Sequence, residues 1–411
     1  MRLPVLLFLV ACNIFAQTAK LEYVVILSRH GVRSPTATAA DLRQYSAEPW
    51  PEWNVAPGEL TEHGRKLMTI LGGWYRGWLA HDGLLSLTGC DQARAVYIRA
   101  DVGQRTGESG RAFAEGLLPG CPPDVHMVDG KTDPLFHPVA AGAVHGDRAV
   151  AVASVSGRIG GNPTALAGVY RHAFETLEGI LGKPALLAMP ASLQGTEDGL
   201  ADIRGPLRTA STLAENLLLE YAEGMTAKNL GWGRLDAAKL TEIMAIHTAY
   251  ADLARRTPYL ASVQGSNLLE HILLSVEQAV ARKPVAGAIG NPGDRVLVLA
   301  GHDTNISHIA GLLNLSWLIP GYQRDDTPPG GSLVFRLWRD ASNKSYAVEV
   351  LFIAQTLDQL RNSTPLDGNS PPETAAVFIP GCLPTGARLD CGWNAFRGII
   401  SNSIDLQHTI P

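Results

Sequence analysis

Apolar positions crowd into three short runs, and each run ends in a polar cluster. Leu21-Glu22-Tyr23-Val24-Val25-Ile26-Leu27-Ser28 leads into Arg29-His30-Gly31-Val32-Arg33-Ser34-Pro35. Arg295-Val296-Leu297-Val298-Leu299-Ala300-Gly301 leads into His302-Asp303-Thr304-Asn305. Ala95-Val96-Tyr97-Ile98-Arg99-Ala100-Asp101 leads into Gln104-Arg105-Thr106 and a helical stretch from Gly110 to Leu118. Near-continuous apolar runs of this length read as strands buried on both faces, in a sheet sandwiched by helices. Further strands are predicted over Ser332–Trp338 and Tyr346–Ile353.

The remaining periodicity is helical. Thr61 is placed to cap a helix whose apolar stripe is Leu67, Ile70, Leu71, Trp74 and Trp78. Similar patterns run over 165–181, 209–225, 237–254 and 267–281, so residues 160–285 read as helix-rich and without clear strands. The predicted architecture is α/β: a sheet flanked by helices, with a smaller all-helical domain inserted. Residues 17–140 and 286–411 form the α/β domain and 141–285 the insertion, with Gly- and Pro-rich junctions near 129–163 and 283–294. The Pro-rich tail from about 362 is expected to be irregular.

Residues 1–16 combine Arg2 with a short apolar run, far below the ~20 residues of a membrane span. They read as a secretory signal cut near Ala16. Leu9-Val10-Ala11-Cys12 also resembles a lipoprotein processing site, which leaves anchoring through Cys12 open. The mature chain keeps Cys90, Cys121, Cys382 and Cys391. An even count in an exported protein reads as two disulfides. Of the three possible pairings, nearest neighbours are expected, Cys90 with Cys121 and Cys382 with Cys391. Zinc is disfavoured because no C-x-x-C pair occurs.

Across 411 residues, 46% are hydrophobic and only 18% charged, which excludes a disordered chain. The net charge of −5 supplies no global basic field for nucleic acid. Any anion site must therefore be local, and the strand ends provide one. In open α/β sheets ligands bind at the carboxyl edge of the strands. Arg29, Arg33 and Arg105 there would form an oxyanion cradle, because the guanidinium fork matches phosphate. A histidine inside such a cradle, His30, could attack phosphorus through a neutral ring nitrogen that the guanidinium charges help keep unprotonated. Asp303 is the acidic group placed to protonate a leaving alkoxide, which implies an acidic working pH. His302-Asp303 as half of a metal-binding pair is the alternative, but an arginine cluster opposes a cation. H-E-x-x-H, G-x-S-x-G and Walker patterns are absent from the sequence.

The R-H-G-x-R-x-P run of residues 29–35 with the distant His302-Asp303 resembles the signature of the histidine acid phosphatases. The R-H-G tripeptide alone is shared with phosphoglycerate-mutase-like enzymes. Trp50-Pro51-Glu52-Trp53, Asp133-Pro134-Leu135-Phe136, Gly231-Trp232-Gly233-Arg234, Gly301 to Asn305 and Thr327-Pro328-Pro329-Gly330-Gly331 extend the likeness over nearly the whole mature chain. They are similar to the bacterial 4-phytase and glucose-1-phosphatase branch, with Gly31 and Thr304 nearer the phytases.

The resemblance implies a phosphoglycerate-mutase-like α/β fold with a helical domain, and a two-step hydrolysis of phosphomonoesters without metal or other cofactor. His30 would match the nucleophile, Asp303 the acid, and Arg29, Arg33, Arg105 and His302 the phosphate-binding shell. Thr36, Glu215 and His247 would line the substrate pocket; the alternative for His247 is a core histidine on a helix face. The four cysteines fall where that branch forms two of its bridges. The implied enzyme is an acid phosphatase acting on a small phosphate ester, with phytate as substrate; the signal makes it secreted or periplasmic, and monomer is the default expectation. Ala37 and Gln264 stand where pocket cations would be, so a sugar-phosphate phosphatase is the alternative. A periplasmic phosphate-ester binding protein is a second alternative, against which His30 and Asp303 argue.

Overall fold

The computed structural model describes residues 19–342, 344–384 and 388–410. The proposed signal and Cys12 lie outside them. In chain order the strands are β1 (Ala19–Arg29), β2 (Val96–Ala100), β3 (Val125–His126), β4 (Ser192–Thr196), β5 (Leu200–Arg204), β6 (Val296–Gly301), β7 (Ser332–Asp340), β8 (Tyr346–Ala354), β9 (Glu373–Val377) and β10 (Cys391–Gly392). The helices are α1 (Ala39–Leu42), α2 (Glu62–His81), α3 (Gln104–Leu117), α4 (Arg148–Arg158), α5 (Ala165–Val169), α6 (Arg171–Leu181), α7 (Pro206–Ala222), α8 (Ala237–Ala254), α9 (Pro258–Ala281), α10 (Asp303–Leu312), α11 (Leu357–Asn362) and α12 (Trp393–Ser403).

The main sheet runs β10-β8-β7-β1-β6-β2-β3, with β9 also paired to β8. The strands β1, β6, β2 and β3 are parallel, and β7, β8, β9 and β10 join antiparallel. Every residue of β6 is buried, as its unbroken apolar run requires. One face of the sheet packs Tyr23, Leu27, Leu299, Phe335 and Phe352 against α9, α10 and α12. The other packs Ile26, Ile98 and Val298 against α2 and α3 through Tyr75 and Phe113. A separate core holds α4, α6, α7 and α8 together. The helix α9 belongs to both, with Leu260 and Val263 in the helical core and Leu268, Ile272 and Val276 under the sheet.

Several elements differ from the sequence expectation. The inserted region is helical but carries one hairpin, β4–β5, in an antiparallel register. Its five-residue strands bury mainly Leu200, Ala201 and Ile203, too short a signal to stand out from helical surroundings. The helix α4 lies in the presumed junction, capped by the Asp147 side chain. The tail is not irregular: β9, β10 and α12 extend the sheet and cover it.

The helix α3 begins at Gln104 rather than Gly110, and its glycines have a packing reason. A Cβ at Gly116 would fall 2.0 Å from the Thr69 carbonyl oxygen, and one at Gly72 2.2 Å from that of Phe113. Glycine thus lets α2 and α3 approach backbone to backbone, against its poor helix propensity. In α2, Thr61 caps as expected, accepting from Gly64 N–H at 2.9 Å. Its most buried face is Leu67, Met68, Leu71, Tyr75 and Leu79, with Ile70 only half-buried. Both nearest-neighbour disulfides are formed, with Cα–Cα separations of 5.9 Å for Cys90–Cys121 and 5.6 Å for Cys382–Cys391.

Candidate active site

The register of the parallel strands assembles this site. Arg29 pairs with Gly301 and Ala100 with Ala300, so β1, β6 and β2 end level. The backbone continues the pairing one step further. The His30 N–H donates to Gly301 O at 3.0 Å and the Asp101 N–H to Ala300 O at 3.1 Å. His30, Asp101 and His302 therefore leave the sheet side by side. Arg105 lies in the first turn of α3, and Asp303 opens α10 with His302 as its N-cap. Helix N-termini carry partial positive charge, so both favour an anion at this edge.

The imidazole of His30 is buried, and its Nδ1 lies 2.8 Å from Gly31 O. A carbonyl can only accept, so Nδ1 carries the proton and Nε2 presents a lone pair. Burial, then the charges of Arg29, Arg33, His302 and Arg105, hold its pKa well below the usual histidine value. The ring stays neutral into acid. Gly31 has no room for a side chain: a Cβ would sit 2.9 Å from both Gly64 O and Met68 Cγ.

Three guanidinium groups surround this ring. Arg29 is fully buried, donating to Thr327 O and pairing with Glu215 Oε1. Arg33 reaches the same Glu215 oxygen at 3.3 Å. Arg105 is anchored by Nη1 on Gly58 O and Nη2 on His302 Nδ1, each at 3.5 Å. Glu215 is thus a clamp beneath two arginines rather than an open pocket wall. Burial opposes its ionisation, but Arg33 and Arg29 bring its pKa down to about 2. Glu215 thus offsets one of the three guanidinium charges around the ring.

His302 donates from Nε2 to Asp101 Oδ2 at 2.7 Å, and His137 Nε2 lies 3.1 Å from the same oxygen. Burial disfavours an ionised Asp101, yet these two hydrogen bonds hold it well below the carboxylate range. Burial also lowers the His302 pKa, opposed by its bond to Asp101. The ligand atoms of Asp101, His137 and His302 lie within 4.8 Å of one another, close enough for a cation. The Arg105 guanidinium against His302 opposes one electrostatically.

Asp303 is buried and ion-paired through Oδ2 with Arg255 Nη1. Burial would raise its pKa; the charges of Arg255, Arg29 and His247 outweigh it and keep the carboxyl ionised in the free enzyme. His247 is buried, its Nδ1 shared between Ser211 Oγ at 3.1 Å and Ser211 O at 3.3 Å. Its Nε2 makes no hydrogen bond among the described residues, nor do Arg29 Nε, Arg33 Nε, Arg105 Nε and Thr304 Oγ1. Such a concentration of buried, unpaired polar atoms is unusual and marks a place for a polar ligand. Thr36 is exposed beside Gly58, across which lies an Arg105 Nη1. Ala37 packs toward the helical core, and Gln264 donates to Asp198 O at 2.9 Å.

A neutral histidine facing an arginine cradle, with a carboxyl at its side, defines a histidine-type phosphoryl-transfer site. The chain belongs to the histidine phosphatase superfamily (branch 2), whose sequence profile matches residues 20–158 and 210–353. It is a histidine acid phosphatase, a phosphoric monoester hydrolase. Among known proteins it is 36% identical to phytase AppA of Escherichia coli, covering 98% of this chain and 96% of that one. It is 26% identical to the glucose-1-phosphatase of Providencia rettgeri, over 94% and 92% of the two chains. Its fold superposes on Hafnia alvei phytase in complex with tartrate with a TM-score of 0.88 at 36% identity, covering 96% of this chain and all of that one.

The structure brings together His30, Asp303, Arg29, Arg33, Arg105, His302, Glu215 and His247 in one cluster, with Thr36 at its exposed side. Sequence reasoning missed Asp101, His137 and Arg255. Asp101 directly ends a predicted strand and His137 follows the quoted Asp133–Phe136 run, so both stood next to signals that were read. Arg255 follows the last residue of α8, and only the tertiary packing brings it to Asp303.

Proposed function

We propose that the protein is a phytase working through a phosphohistidine. The observation that carries the mechanism is the bare Nε2 of His30 among three guanidiniums, with Asp303 in the same cluster. In the first step Nε2 attacks phosphorus, an N–P bond forms and the ester O–P bond breaks. The alkoxide leaves with a proton from Asp303. In the second step water attacks the phosphohistidine, gives its proton to Asp303 and releases phosphate, restoring His30. Arg29, Arg33, Arg105 and His302 hold the phosphoryl oxygens and stabilise the charge that builds on them in the transition state. No step uses a metal or other cofactor.

Phytate as substrate is supported by the phytases among the relatives and by Arg204, Arg208 and Arg255, which line a cavity beside Asp303 together with Asp202, Glu197 and Asp198. Ala37 and Gln264, both uncharged, favour the second reading, a sugar-phosphate phosphatase. Phosphate release at acidic pH, with EDTA present, from phytate and glucose 1-phosphate in parallel separates them. The expected result is faster release from phytate; release from glucose 1-phosphate alone contradicts the phytase reading. We further infer export to the periplasm or medium as a monomer, supported by the two disulfides. Among the described residues no helix is long and apolar enough to cross a membrane. The division into residues 17–140 with 286–411 and an inserted 141–285 belongs to this reading, although Leu42 and Trp50 join the core of the insertion.

A further inference from the structure

The ion pair between Arg255 and Asp303 poses a chemical problem. A general acid must carry a proton, and a carboxylate held by a guanidinium does not. Asp303 opens α10 and faces charged or titratable groups from every side. These are Arg29 at the end of β1, Arg105 in α3, Glu215 in α7, His247 in α8, Arg255 just past α8, and His308 on its own helix. Of the groups that hold it ionised, Arg255 contributes most. The other arginines are committed to the phosphoryl cradle and its Glu215 clamp. Arg255 is not, and its ion-pair partner is Asp303.

Arg255 also borders a second space. With Arg204, Arg208, Gln264 and Thr304 it lines a cavity of about 500 Å³ directly beside Asp303. Asp202 Oδ2 pairs with Arg208 and, at 3.4 Å, with Arg204. Glu197 and Asp198 line it as well and are exposed, as are Arg204 and Arg208, whereas Arg255 is largely buried. The buried Thr304 Oγ1 on this wall makes no hydrogen bond among the described residues.

We propose that Arg255 senses polyphosphorylated substrates: it rests on Asp303 in the empty site and transfers to a second phosphate group in this cavity, which frees Asp303 to take up the proton it donates. The proton comes from the acidic solvent. The incoming phosphate replaces the Asp303 carboxylate as counter-charge, and its own negative charge beside Asp303 favours the protonated acid. The device couples recognition of a neighbouring phosphate to activation of the acid. It places a cation at the cavity where Gln264 supplies none. The inference rests on Asp303 being the proton donor, but not on phytate being the natural substrate.

The test uses Arg255→Gln, with Arg255→Lys as a variant that keeps the charge. myo-Inositol hexakissulfate is titrated as a non-hydrolysable inhibitor of p-nitrophenyl phosphate turnover. In Arg255→Gln its Ki is expected to rise about tenfold or more, the loss of a charged hydrogen bond. KM for p-nitrophenyl phosphate should stay within about twofold, because that ester has one phosphate. The kcat of glycerol 2-phosphate should keep its value to higher pH in Arg255→Gln, since Asp303 then holds its proton more tightly. Arg255→Lys should resemble the wild type in both readouts. An unchanged Ki with an unmoved pH edge overturns the proposal, as does an equal loss toward both anions. Wild-type enzyme that leaves phytate intact contradicts the phytase reading alone, while the Ki and the pH edge still decide the role of Arg255.

Discussion

Proton placement around His30 and Asp303 decides which way the chemistry runs. His30 must be neutral to attack, and burial with the neighbouring guanidiniums lowers its pKa, so the nucleophile survives in acid. Asp303 must be protonated to donate, so activity falls as pH rises through the pKa of Asp303 in the substrate complex. The upper edge of the pH profile is therefore assigned to Asp303. Asp303→Asn is expected to slow alkyl phosphates by ~10²–10⁴-fold, the usual worth of a general acid. Aryl phosphates, whose leaving groups need the proton less, should lose far less; equal losses on both esters would remove Asp303 from that role. At this scale the sequence was legible where residues end a strand or directly follow one, as Arg29, His30 and His302 do. It was silent on Arg255, because a residue at the end of a helix shows no sign of which strand edge it will meet.

Two helices carry predictions of their own. In α7, Glu220 is buried, with Oε2 accepting from Gly231 N–H at 3.0 Å and Oε1 unpaired among the described residues. Burial pushes its pKa up to about 8, against 4.5 for the free group. A carboxyl whose folded pKa is raised binds its proton more tightly in the folded state. Its stabilising effect is fully present below about 4.5 and is lost as pH rises through about 8. The loss is on the order of 5 kcal/mol at most. Thermal melts of Glu220→Gln should show a smaller drop in Tm between pH 5 and 8 than wild type; parallel curves would contradict the assignment. In α3, helix propensity says that Gly116→Ala stabilises by up to about 1 kcal/mol. The Thr69 carbonyl 2.0 Å from that Cβ says the opposite. Packing should win, with destabilisation of about 1–3 kcal/mol in urea unfolding; a more stable variant would refute the close approach. The same contact explains why α3 was read too short: its glycines serve a neighbour that periodicity cannot see. The hairpin β4–β5 was missed for a related reason, since its pairing and burial are tertiary.

For the whole molecule, the parallel strands β1, β2 and β6 were legible from their apolar runs, while the two-residue, half-exposed β3 was not. The antiparallel extension by β9 and β10 was not, because short edge strands carry no such run. The level ends of β1, β2 and β6 create one charged edge, and α9 ties the helical core to the sheet that bears it. Acidic working pH, phosphate recognition and the absence of a metal from the proposed steps all follow from a nucleophile at that edge. The proposed steps require that a phosphoryl group be transferred to His30 Nε2. The direct measurement is rapid mixing with labelled substrate at acidic pH, quenching in alkali, where phosphohistidine survives, and peptide mapping by mass spectrometry. Label is expected on the peptide containing His30 at close to one phosphate per active site, and none in His30→Ala. Full turnover by wild type with no label on His30, or undiminished turnover by His30→Ala, would contradict that transfer.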